Sequence, residues 1–89
     1  MQGVLASVAV KHKPITRARR AATSHTVPQP GLTPHSMGSS QFAAAMEERR
    51  QWITENVAAD HLIEPLRGGG RLYRFENPND AFAFKLRFC

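Results

Sequence analysis

The chain has 89 residues, 42% of them hydrophobic and 8% aromatic, with 12 Lys and Arg against 7 Asp and Glu for a net charge of +5. That length holds one small domain and excludes the doubly wound sheets and barrel enzymes that need well over about 150 residues. The excess charge lies at one end: residues 1–40 carry Lys11, Lys13, Arg17, Arg19 and Arg20 and no acid, whereas residues 41–89 are neutral.

Residues 1–40 read as an extended basic arm. They contain no aromatic residue and four prolines, Pro14, Pro28, Pro30 and Pro34, so they lack the material for a core of their own. Met1 to Val10 is mildly apolar and β-branched, the composition of a strand that adds to a partner's sheet edge. The run from Lys11 to Arg20 can neutralise phosphates in a salt-dependent, sequence-independent way, but has no aromatic to stack on bases. Val27 to Pro34 reads as a polyproline-like strap, because each proline removes a donor and pushes its predecessor into an extended conformation. The acid-free composition also fits an organelle transit peptide, a minor alternative because the prolines interrupt any long amphipathic helix. No stretch reaches the roughly 18 consecutive apolar residues of a membrane-spanning helix.

Residues 41–89 read as a small α-β-β-α module. Ser39 or Ser40 can cap a helix of about four turns over Gln41–Asn56, with Phe42, Ala45, Met46, Arg49, Trp52, Ile53 and Val57 on one side. A hairpin follows, two apolar-bearing runs on either side of Gly68-Gly69-Gly70, with Pro65 requiring the first strand to lie at an edge or be short. Tyr73 and Phe75 share the core face of the second strand, leaving Arg71 and Arg74 nearer solvent. Asn77-Pro78-Asn79-Asp80 is a helix start. Ala81 to Phe88 satisfies both a helical and an alternating strand pattern, and the capping signals decide for helix. The fold class expected is therefore small α+β: helix, β-hairpin and helix, preceded by an extended N-terminal arm.

No constellation with catalytic or metal-binding spacing is present. Cys89 stands alone, the histidines are scattered, and Asp60-His61 with Glu64 reads as a cap and loop rather than an acid/base cluster. Arg67-Gly68-Gly69-Gly70-Arg71 could cradle a phosphate, yet it lacks the Lys-Ser/Thr and helix of a phosphate loop, and the plain hairpin reading is preferred. No cofactor is expected and the enzyme class is set aside.

The run Trp52, Glu55-Asn56, Arg71-Leu72-Tyr73-Arg74-Phe75-Glu76-Asn77 and Asp80-Ala81-Phe82-Ala83-Phe84-Lys85-Leu86-Arg87-Phe88 resembles a module of small uncharacterised bacteriophage proteins. The match covers about half the chain and excludes the arm. That resemblance implies a virion or host-cytoplasm setting and no catalytic residues. The expectation is a non-enzymatic interaction protein, a minor structural component of a phage-type virion or other large assembly or a homo-oligomer. It would dock through the arm and through an aromatic surface drawn from Phe42, Trp52, Tyr73, Phe75, Phe82, Phe84 and Phe88. The alternative is a small nucleic-acid-binding or regulatory protein in which Lys11, Lys13, Arg17, Arg19 and Arg20 neutralise phosphates.

Overall fold

Capping side chains, glycines and prolines set the element boundaries in the structure, a computed structural model that describes residues 14–89. Thr16 opens helix α1 (Arg17–Ala22) by accepting the Arg19 backbone N–H at 3.1 Å. Strand β1 (His25–Gln29) follows and ends in a turn in which the Leu32 N–H donates to the Gln29 carbonyl. Thr33 caps the short helix α2 (Pro34–Met37), whose first residue is proline, the residue whose missing donor costs nothing there. Gly38, at φ 88°, ends α2 and starts helix α3 (Ser39–Asn56). The N-cap is thus Gly38, and Ser39 and Ser40, expected as caps, lie in the first turn without a capping bond.

Strands β2 (His61–Pro65) and β3 (Arg71–Phe75) form the expected hairpin, and helix α4 (Pro78–Phe88) closes the fold. The Asn77 side chain accepts the Asn79 N–H at 2.8 Å, Asp80 lies in the first turn, and Lys85 and Arg87 lie in the last, matching the helix dipole at both ends. The alternating pattern of Ala81–Phe88 therefore serves as a helix.

The sheet is antiparallel with order β1-β3-β2, so the strand with two partners is the one carrying Tyr73 and Phe75. Both outer strands contain a proline, Pro28 opposite Leu72 and Pro65 opposite Arg71, as edge positions allow. Alternation sends Arg71, Tyr73 and Phe75 to one face with Val27 and Ile63, and Leu72 and Arg74 to the other with Glu64. Helices α3 and α4 cover the first face. There Phe84, with no exposed surface, lies 4.6 Å from Tyr73 and 5.3 Å from Phe75 between ring centroids. Trp52 meets Phe84 and Phe88 edge-on at 5.8 and 5.9 Å, a geometry worth about 0.5–1.5 kcal/mol per pair beyond area burial. Helix α1 lies on the second face, through Arg20 and its carbonyl to Glu64 and Arg74.

The α+β class and the helix–hairpin–helix order stand, but residues 17–38 are not a detached arm. Val27 and Leu32 belong to the same buried cluster as Ile53, Tyr73, Phe75 and Phe84. The segment lacks aromatics yet joins a core built by the other half, so β1 needs only Val27 and Gln29 facing inward. Of the extended strap expected over Val27–Pro34, Val27–Gln29 is extended but paired into a ladder, whereas Pro30 and Gly31 form a turn and Pro34 opens α2. The readings of Met1–Val10, Lys11 and Lys13 lie outside the described residues.

Candidate interaction surface

The cap at Thr16 fixes the phase of α1 so that Arg19 and Arg20 turn toward the end of the sheet. Arg19 donates from Nε to Asp60 Oδ2 at 2.6 Å and from Nη2 to Oδ1 at 2.7 Å, a bidentate pair, and Nη2 also reaches the His61 carbonyl at 3.0 Å. Arg20 Nε donates to Glu64 Oε2 at 2.6 Å. Arg74 joins the same group, with Nη1 3.8 Å from Glu64 Oε1 and Nη2 donating to the Arg20 carbonyl, while its buried Nε has no partner among the described residues. Two of the guanidinium groups expected to neutralise phosphates are thus paired within the fold. Arg17 is exposed.

Asp60, expected as a cap and solvated loop, is instead a half-buried brace. Oδ1 also accepts the His61 N–H, and its backbone exchanges bonds with Glu76, the Asp60 N–H to Glu76 Oε1 and the Glu76 N–H to the Asp60 carbonyl. The triple glycine is the hairpin turn: Gly68, Gly69 and Gly70 all have positive φ, and the Leu66 and Gly69 N–H groups donate to carbonyls inside the loop. Among the described residues no group of His, Cys, Asp and Glu is placed to hold a metal ion, and no helix is long and apolar enough to cross a membrane.

The aromatic side chains divide sharply. Tyr73, Phe75 and Phe84 are fully buried, and Trp52, Phe88 and Phe42 are half-buried against them. Phe42 also carries the Arg71 guanidinium at 5.1 Å from its ring centroid. Phe82 alone turns outward, 64% exposed, and Leu86 one turn later is 72% exposed. Ala81, Phe84 and Phe88 take the inner face of α4, so Phe82 and Leu86 form an apolar stripe on its outer face. Leu86 is not among the aromatic docking residues expected from the sequence. The signal that marks it is the four-residue spacing from Phe82 together with its phase opposite the Ala81–Phe84–Phe88 stripe.

The two ends of α4 carry opposite charges. Asp80 stands in the first turn and Arg87 in the last, where Arg87 reaches Glu48 of α3 at 2.9 Å across an exposed pair. The chain matches no family model, no curated protein and no solved structure.

Proposed function

We propose that the chain is a non-enzymatic interaction module that adds a small folded body to a larger protein assembly, such as a phage-type particle, and that α4 is its docking element. The single observation that carries this reading is the exposure of Phe82 and Leu86 on one helix face while the other aromatics are taken up by the core. Large apolar side chains that the fold leaves adjacent and in water are the usual anchors of a protein contact. The simplest partner is a second copy. Antiparallel pairing of two α4 helices sets Phe82 against Leu86, because that pair is centred on Phe84 along the helix.

Full burial of a Phe or Leu side chain is worth about 1.5–3 kcal/mol, so four such groups set against the cost of association give weak self-association, about millimolar or tighter. The test is sedimentation equilibrium and NMR dilution of the full chain beside Leu86→Glu. The expected result is concentration-dependent association, with shifts confined to the outer face of α4, abolished in L86E without loss of melting temperature. A chain that stays monomeric at about millimolar concentration overturns self-pairing. Retention on nucleic acid that falls steeply with salt and with Arg17→Ala, untouched by L86E, overturns the docking reading in favour of a basic tether.

A further inference from the structure

A second site lies away from the α4 stripe and does not rest on the reading above. Between the end of β1, helix α2 and the middle of α3 is a pocket of about 220 Å³ lined by Gln29, Pro30, Gly31, Leu32, Met37 and Arg49. Its walls are apolar except for the Gln29 carboxamide and the Arg49 guanidinium, the combination of hydrophobic lining and few convergent polar groups that marks ligand sites.

The guanidinium is held rigidly. Arg49 Nε donates to Gln29 Oε1 at 2.9 Å, Nη1 donates to the Ala45 carbonyl at 3.1 Å, and the group lies 4.6 Å over the Phe88 ring. Gln29, only 8% exposed, is fixed in turn by its Nε2 bond to Cys89 Sγ at 3.0 Å. Nη2 of Arg49 makes no hydrogen bond within the described residues.

The charge around the pocket is uncompensated. Arg19, Arg20, Arg50, Arg74 and Arg87 each have a carboxylate within 4 Å, whereas half-buried Arg49 and Arg71 have none among the described residues. Arg71 stands opposite Gln29 in the β1–β3 register, with its guanidinium over the Phe42 ring and on the Gly70 carbonyl. Arg49 and Arg71 both act on the Tyr73 phenol, pulling down a pKa that burial raises. Partly buried cations fixed by neutral groups and left without a counter-charge make a standing anion site.

We infer that this pocket binds a small organic monocarboxylate, its carboxylate on the free edge of Arg49 and its short apolar tail against Pro30, Leu32 and Met37. The volume is below the roughly 300 Å³ at which drug-sized pockets begin, which fits a ligand of a few carbon atoms. Affinity is accordingly modest, about millimolar, as so few atoms allow.

The experiment is NMR titration of the full chain with butyrate, butyramide and inorganic phosphate at constant ionic strength, reading the Arg49 Nε–H and Gln29 side-chain amide resonances. Saturable shifts with butyrate, and none with isosteric butyramide, are expected. Arg49→Gln should weaken binding at least tenfold. Because Arg49 also supports Phe88, a second variant leaves it in place: Gly31→Leu, where a side chain starts in open space, should fill the pocket and weaken binding similarly. Non-saturating shifts, equal response to butyramide, or unchanged affinity in both variants overturns the site. Tighter binding of phosphate than of butyrate overturns the carboxylate assignment.

Discussion

Tyr73 shows how much a single side chain is asked to do here. It has no exposed surface, stacks on Phe84, and turns its hydroxyl to the Met46 sulfur at 3.7 Å, a weak acceptor. Burial raises its pKa above the ordinary value of 10.0, and the charges of Arg49 and Arg71 offset only part of that rise. The folded chain therefore holds this proton to higher pH than the unfolded chain does. Its contribution is intact below about pH 10 and is lost as the pH rises toward the folded pKa, by up to about 1.4 kcal/mol per unit. Since the chain has one tyrosine, tyrosinate absorbance reports it without ambiguity. Ionisation should appear only as the fold melts in alkaline solution, and Tyr73→Phe should flatten the alkaline fall in melting temperature. Tyrosinate forming near pH 10 in a chain still folded would contradict this account.

At the scale of the element, the hairpin turn separates two uses of glycine. Gly68 and Gly70 have nearly the same φ, 88° and 90°, but a Cβ on Gly68 meets nothing within 4 Å, while one on Gly70 falls 2.3 Å from the Gln29 carbonyl and 2.6 Å from Pro30 Cα. Gly68→Ala should cost only the left-handed strain, about 1–2 kcal/mol. Gly70→Ala adds a collision of two backbones and should cost several times more, read as the difference between two denaturant midpoints. The triple glycine announced the turn in the sequence, but nothing local could say that β1 passes so close to its last residue. The same distinction runs through the other elements. The caps at Asn77 and Pro78 and the spacing of Tyr73 and Phe75 act within a few residues and could be read directly. Helix α1 and strand β1 could not, because Arg19 finds Asp60 and Val27 finds the core only across long stretches of chain. A short strand that holds one proline, is followed by another and has no aromatic looks like an open strap until its partner strand is known.

For the molecule as a whole, the consequence is that the basic and neutral halves of the sequence are one folding unit. Deleting residues 1–38 removes Val27 and Leu32 from the core, strips the β1 edge from β3, and leaves Asp60 and Glu64 without Arg19 and Arg20. A body this small has little stability to lose. The truncated chain should lose its cooperative thermal transition by circular dichroism; a sharp transition retained near the full-length midpoint would restore the picture of a separable arm. For the candidate sites, legibility stopped at the same point. The aromatics were visible as a set, but which one the fold would leave in water depended on the phase of α4 against Phe84. The Arg49 pocket needed β1 in place before Gln29 could meet α3.

The two edge prolines bear on how such a body assembles. With Pro28 on one rim of the sheet and Pro65 on the other, each outer strand of the three that the described residues form lacks a backbone donor where a further strand would have to dock. Copies brought together at high concentration are thereby steered away from open-ended strand-to-strand growth. What remains available to them is contact between side chains.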